Sequence, residues 1–284
     1  MKFTKMHGCG NDYIFLDARF EKIPNPEKLA RILSDRHMGI GADGLVLIGT
    51  SENADVSMRM YNADGSVGEM CGNAIRCIGK YVYENNIKTK TTLTVDTLAG
   101  IKTLFLTLNQ NKVVEVMVDL GKPIVIANKI PVVSEKETVI EEPITVLDKE
   151  FKITCVSMGN PHAVIFVDNV GTFPVSTYGL PLEHNLKFPN RINVEFVQVV
   201  DRNNIRMRVW ERGAGETMAC GTGTAASVVA GILTGQLDSY VVVTCRGGIL
   251  KVFYDQKENI VYLSGAAVKV FDGEISLDSL VRRE

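Results

Sequence analysis

The sequence has no surplus of basic residues: Lys and Arg number 31 against 33 Asp and Glu, a formal net charge of −2. A chain without a basic field has nothing to hold a phosphate backbone, so nucleic acid is not an expected partner. A secretory signal is not expected either, because the first apolar run, Ile14-Phe15-Leu16, is far shorter than such a segment requires. One uncharged stretch, Thr217 to Leu237, is long enough to span a membrane, but it contains Gly221, Thr222, Gly223, Thr224 and Ser227. It reads instead as a buried helix with a glycine-rich start, so no membrane partner is expected and the expected location is cytoplasmic. C-x-x-C pairs are missing, and the six cysteines, at 9, 71, 77, 155, 220 and 245, do not cluster with His at zinc spacings. No metal is expected. Gly213-Ala214-Gly215 lacks both the G-K-[ST] of a phosphate-binding loop and the third glycine of a dinucleotide fingerprint.

What the sequence does contain is room for two domains and a repeat to fill them. Its 284 residues are 45% hydrophobic and 23% charged, the balance of a globular protein. At an offset of 149, Gly10-Asn11 falls on Gly159-Asn160, Met58-Arg59 on Met207-Arg208 and Cys71-Gly72 on Cys220-Gly221. Gly44-Leu45 falls on Asn193-Val194, and both continue as apolar strands. Matches of uncommon residues, in order and without a gap, imply two similar halves, and a small-molecule site is expected where such halves meet.

Runs rich in β-branched and aromatic residues predict strands at Met58 to Tyr61, Leu93 to Asp96, Lys102 to Leu108, Val113 to Asp119 and Lys152 to Val156. The same signal continues at Val194 to Val200, Ile205 to Trp210, Val241 to Thr244 and Leu250 to Tyr254. Their closeness suggests antiparallel meanders. Each half has one long helical pattern: Ala74, Ile75, Ile78, Tyr81 and Val82, ending near Asn85-Asn86, and Ala225 through Leu233, stopped by Gly235. A shorter helix is predicted over Pro26 to Ser34, capped by Asn25. The fold class is α/β of the α+β type, in two pseudo-repeated domains. The expected division is residues 1–119 with about 268–284, and residues 120–267.

Both long helices begin at a cysteine followed by glycine. Cys71 and Cys220 therefore stand where unbonded backbone N–H groups and the positive end of a helix dipole converge, a setting that lowers a thiol pKa. The same N–H groups, those of Gly72, Asn73, Gly221 and Thr222, suit a carboxylate. If the halves face each other, two thiols flank one small carboxylate, so that one removes an α-proton and the other delivers one from the opposite side. Inversion at a stereocentre needs that arrangement, with N–H donors stabilising the negative charge as the proton leaves. Cys77, Cys155 and Cys245 read as packing, while Cys9 sits between Gly8 and Gly10 in a candidate site loop. His162 reads either as a structural hydrogen-bonding group or as a catalytic one. Arg212, in Glu211-Arg212 ahead of the glycine-rich loop, suits bidentate binding of a substrate carboxylate.

Asn11-Asp12, Gly39-Ile40-Gly41-Ala42-Asp43, Tyr61-Asn62-Ala63-Asp64-Gly65-Ser66, Cys71-Gly72-Asn73, Ser157-Met158-Gly159-Asn160-Pro161-His162 and Glu211-Arg212-Gly213-Ala214-Gly215-Glu216-Thr217 through Ala219-Cys220-Gly221 resemble the diaminopimelate epimerases, from residue 1 to about 273. The resemblance implies a pyridoxal-independent isomerase, with no cofactor, converting LL- to meso-diaminopimelate for lysine and peptidoglycan precursors. It also implies a mostly antiparallel sheet around a central helix in each domain, an active site in the cleft between them, and a homodimer. It assigns the two bases to Cys71 and Cys220, and substrate contacts to Asn11, Asn62, Asn160, Asn193 and Arg212. Gly72, Asn73, Gly221 and Thr222 hold the reacting carboxylate, with Glu211 and His162 near the catalytic centre. Two positions depart from the pattern: Gly44 replaces a Gln that many relatives carry, and Cys9 stands where an apolar residue is common. A two-cysteine racemase of another amino acid, such as proline or histidine, remains an alternative, as does a binding module or thiol redox sensor.

Overall fold

Every run predicted as a strand forms one, because β-branched and aromatic side chains pack well on a pleated surface. The computed structural model describes residues 1–20 and 22–276. It divides into two units, Met1–Val118 with the segment from Gly265 onward, and Asp119–Ser264. Residues 277–284, which the sequence reading placed in the first domain, lie outside the described residues.

The first unit contains β1 (Lys2–Gly8), β2 (Asn11–Asp17), α1 (Pro26–Ser34), β3 (Gly44–Gly49), β4 (Val56–Asn62), β5 (Val67–Gly68), α2 (Gly72–Glu84), β6 (Thr92–Thr97), β7 (Gly100–Asn109) and β8 (Lys112–Gly121). The division between units falls inside β8. Sheet neighbours pair antiparallel, except β2 with β3 and β4 with β6, which run parallel. The second unit contains β9 (Glu142–Val146), β10 (Lys149–Ser157), β11 (Pro161–Phe166), α3 (Val175–Glu183), β12 (Asn193–Asp201), β13 (Asn204–Glu211), β14 (Gly215–Thr217), α4 (Gly221–Leu233), β15 (Tyr240–Cys245), β16 (Gly248–Asp255) and β17 (Ile260–Gly265). It repeats the pattern, with β11–β12 and β13–β15 as its parallel pairs.

The repeat extends to register. Tyr13 pairs with Gly44 and Leu45 with Tyr61 in the first unit; their counterparts at the same offset, His162 with Asn193 and Val194 with Trp210, pair in the second. The helices α2 and α4 coincide from first residue to last at that offset. The last strand, β18 (Val268–Glu274), returns to the first unit and pairs antiparallel with β1, the position that β9 occupies beside β10 in the second.

Burial explains why each helix lies where it does. In α2, Ala74, Ile75, Cys77, Ile78 and Val82 are fully buried, and Gly79 brings the helix against Leu104, Leu106 and Val116 of β7 and β8. Burying side chains the size of Ile75 and Ile78 stabilises by about 1.5–3 kcal/mol each. The α4 helix carries no charged residue and is buried on nearly all sides, as a helix apolar all round must be. A further core of Phe3, Ile14, Leu16, Leu29, Ala30, Leu33 and Leu45 lies under α1. In the second unit Phe151, Phe173, Phe196 and Val175 belong to a larger cluster that takes in α3.

Two local expectations are corrected, and one helix is added. Thr217 to Leu237 is not one helix, because Gly215–Thr217 pairs with β13 and Gly235, at φ +74°, ends the helix. Asn25 precedes α1 but makes no side-chain cap, since its own backbone is left-handed at φ 43°, ψ 59° and Pro26 supplies the first turn. The helix α3 was not foreseen: Pro181 lies inside it, a residue that ordinarily ends a helical reading.

Gly44 has a steric reason. A Cβ there would stand 2.2 Å from the backbone oxygen of Tyr61, across the β3–β4 ladder. Gly44→Ala is expected to lower stability by about 1–3 kcal/mol, as overpacking against a fixed neighbour does. Urea unfolding measures it, and an unchanged midpoint would mean that β3 can shift to admit a side chain.

Candidate active site

In the first unit Cys71 is the N-cap of α2, with the extended backbone that caps require (φ −130°, ψ 122°). The first helical hydrogen bond runs from Ile75 N–H to the Cys71 carbonyl at 3.0 Å. The N–H groups of Gly72, Asn73 and Ala74 precede it, at the positive end of the helix dipole. The half-buried Cys71 thiol donates to Asn11 Oδ1 at 3.3 Å, and Asn73 Nδ2 donates to the same oxygen at 3.3 Å. Asn11 is held with its oxygen toward the thiol because its Nδ2 donates to Asp43 Oδ2 at 2.8 Å. Asp43 is fixed in turn by the Asp12 N–H at 3.1 Å and by Arg36 at 2.8 Å. Burial, and then the neighbouring Cys71, push the Tyr13 hydroxyl well above its ordinary pKa.

Behind this turn Arg76, wholly buried, donates to the Gly72 carbonyl at 2.8 Å and to Asn73 Oδ1 at 2.7 Å. Its Nη2 also lies 4.0 Å from the Cys9 sulfur, whose thiol is pushed up by burial although Arg76 opposes the shift. Cys9 thus touches the underside of the helix start from the β1–β2 turn, where its φ is +53°. Asn62 stands apart from the Cys71 network among the described residues: it is exposed and donates to Ser66 Oγ at 2.9 Å.

In the second unit Cys220 caps α4 with nearly the same backbone (φ −117°, ψ 118°), but its sulfur turns back to accept from the Gly223 N–H at 3.4 Å. The Thr222 hydroxyl lies 3.4 Å from the same sulfur. Glu211 reaches the Cys220 thiol and takes the Thr217 hydroxyl at 2.5 Å. Burial raises the Glu211 carboxyl pKa despite these donors. Burial, followed by the charges of Glu211 and Glu195, pushes the Cys220 thiol well above its usual range. The expected lowering at a helix start is therefore overturned for Cys220, where desolvation and two acids outweigh the dipole. His162, buried, bridges Glu195 Oε1 at 2.7 Å and Asn160 Oδ1 at 3.0 Å. Asn193 donates to the Pro161 carbonyl at 2.8 Å and accepts the Arg212 N–H at 3.0 Å, while the exposed Arg212 side chain donates to the Asn190 carbonyl at 3.0 Å.

Sequence reasoning missed Tyr13, Glu195 and Arg76. Tyr13 was within reach, since it is the repeat counterpart of His162. Glu195 is a lone acid in an apolar buried strand, a pattern that itself signals a required partner.

Two outcomes follow from these environments. Cys71, half-buried, is expected to be alkylated by iodoacetamide at neutral pH well before Cys220, which is 7% exposed and held as a neutral thiol. Peptide mass spectrometry over time tests this, and equal rates would contradict the burial argument. Asp12 has its carboxyl lowered from 3.8 to about 2; burial alone would raise it, but hydrogen bonds from Arg36 and Lys5 prevail. A lowered folded pKa gives stability that is present above the unfolded value and lost as pH falls through the folded one. Asp12→Asn should therefore remove an acid-limb loss of about 1 kcal/mol, after discounting for solvent contact, between pH 3.8 and about 2. Thermal midpoints across that range check it; a limb as steep as before would rule Asp12 out.

The chain is similar to known proteins over nearly its whole length. The family model described as diaminopimelate epimerase matches residues 3–126 and 154–270. A diaminopimelate epimerase of Acetivibrio thermocellus is 54% identical over 280 residues, covering 99% of this chain and 100% of the relative. Another, from Methanococcus maripaludis, is 53% identical over 277 residues, covering 98% and 100%. Among solved structures, a phenazine biosynthesis protein of the PhzF family from Bacillus anthracis has a TM-score of 0.71 at 19% identity, covering 98% of this chain and 99% of its own. A probable proline racemase from Agrobacterium radiobacter has a TM-score of 0.71 at 15% identity, covering 98% and 93%, and like the first it shares the fold. The two-unit α+β fold is common to them, and by sequence the chain belongs to the diaminopimelate epimerase family.

Proposed function

We propose that this protein is an isomerase that epimerises LL-diaminopimelate to meso-diaminopimelate, a step toward lysine and peptidoglycan precursors, with no pyridoxal cofactor. The observation that carries the reading is a cysteine in the same extended N-cap conformation twice, at the repeat-equivalent starts of two buried helices, in a chain of this family. In the proposed mechanism Cys71 and Cys220 act on one α-carbon from opposite faces. The N–H groups of Gly72, Asn73, Gly221 and Thr222 take the α-carboxylate and stabilise the charge that develops as the proton leaves. Glu211, held protonatable by burial, exchanges a proton with Cys220, and Asn11 steadies the Cys71 thiol. Asn62, Asn160, Asn193 and Arg212 bind the rest of the substrate, with His162 holding Asn160.

The working form is proposed as a cytoplasmic homodimer. Val268, Val270 and Phe271 on β18 are exposed apolar side chains in a row on one strand, a surface a second copy would cover. No helix among the described residues is long and apolar enough to cross a membrane.

Proton NMR of the reduced protein with LL-diaminopimelate in D2O, without pyridoxal phosphate, is expected to show loss of the α-proton signal and appearance of the meso isomer. Cys71→Ser and Cys220→Ser should each slow turnover by about a thousandfold or more while the circular dichroism spectrum is kept. Exchange with proline or histidine but not with diaminopimelate would replace the substrate assignment. Normal turnover by either serine variant would remove that thiol from the mechanism.

A further inference from the structure

Glu183 closes α3 and is 2% exposed. Its two oxygens have separate tasks. Oε2 accepts the indole N–H of Trp210 at 2.8 Å, and Oε1 accepts the backbone N–H of Gly213 at 3.0 Å. Trp210 immediately precedes Glu211-Arg212 and Gly213 immediately follows, so one buried carboxylate grips both ends of that dipeptide. From the other side Asn193 accepts the Arg212 N–H at 3.0 Å, and the Ala214 N–H closes a turn on the Glu211 carbonyl at 3.0 Å. Half-exposed Arg191 and His184 approach Oε1 at 3.6 and 3.7 Å. One turn earlier in α3, Gly179 leaves no room for a Cβ, which would meet Trp210 ring atoms at 2.5 to 2.7 Å; the indole lies directly on the helix backbone. The helix α3 is thus the base on which the Glu211-Arg212 loop is built.

We infer that Glu183 is a positioning residue for recognition of the substrate's second carboxylate. It fixes the loop before substrate arrives, so that Arg212 meets the distal carboxylate without ordering a flexible segment at that moment. This rests on the function proposed above. A glutamine at 183 keeps the volume but offers one acceptor oxygen where two are used, and sets an NH2 group against a backbone or indole N–H.

The test compares wild-type protein with Glu183→Gln in steady-state epimerisation, with lysine, which is diaminopimelate lacking the second carboxylate, as a competing ligand. KM for LL-diaminopimelate is expected to rise about tenfold with kcat within about threefold, and the inhibition constant of lysine is expected to stay near the wild-type value. The emission of Trp210, the single tryptophan of the chain, should shift in the variant without substrate. An unchanged KM, or equal weakening of diaminopimelate and lysine, would overturn the inference and leave Glu183 a purely structural residue. Should the variant fail to fold, hydrogen exchange on the wild-type protein decides. Slow exchange of the Gly213 amide and the Trp210 indole N–H without substrate is expected, and exchange at the unprotected rate would overturn a prebuilt loop. Absence of turnover by the wild-type protein would count against the proposed function, while the exchange result would still judge the clamp on its own.

Discussion

A helix that is buried from its first turn has a problem at its start: its leading N–H groups point along the axis with no carbonyl behind them. Both units are organised round such a helix. In each, the residue at that start is a cysteine and the next is a glycine, so the backbone donors lie beside a sulfur with no side chain between. Strand β2 and the turn before β3 deliver Asn11 and Asp43 to one start, and β13 and β14 deliver Glu211 and Thr217 to the other. The acids and amides around each thiol are secondary to that placement, since they reach a point the helix defines.

The two starts share a backbone but not a chemistry. At the repeat offset Tyr13 corresponds to His162, Asn62 to Glu211, Asn73 to Thr222 and Gly44 to Asn193. The Cys71 thiol gives its hydrogen to an amide oxygen, whereas the Cys220 sulfur accepts a helix N–H and has an acid within reach. An amide cannot take up a proton near neutral pH and a carboxylate with raised pKa can. The same backbone has therefore been given two different sets of side-chain neighbours, one built on amides and one on a buried acid.

Much of this was legible in the residues. The offset that aligned Cys71 with Cys220 also relates the strand registers of the two units, although the sequence pointed only to antiparallel meanders and gave no sign of the parallel β2–β3 and β11–β12 pairs. The helix limits at Glu84 and Leu233 followed from periodicity with Asn and Gly stops. The misses have physical causes. Local signals gave no hint that the β1–β2 turn would lodge Cys9 against Arg76, since that contact joins residues far apart in the chain. The Cys220 thiol is pushed up, against the dipole argument, because burial and then the acids Glu211 and Glu195 act on it through tertiary contacts. Pro181 hid α3, and with it the support of the Glu211-Arg212 loop.

The position of β18 bears on how the chain comes into being. In the second unit the edge beside β10 is closed by β9, which precedes it directly and joins it through a tight turn. In the first unit the same edge beside β1 is closed by β18, some 260 residues later in the chain. A ribosome releases the N-terminus first, so the first unit waits with an open strand edge beside β1 until Val268–Glu274 have been made, whereas the residues of the second unit have all emerged before them. Of the two units, the one begun first is thus the one whose sheet is closed last, and its edge strand stays open to wrong partners for longer.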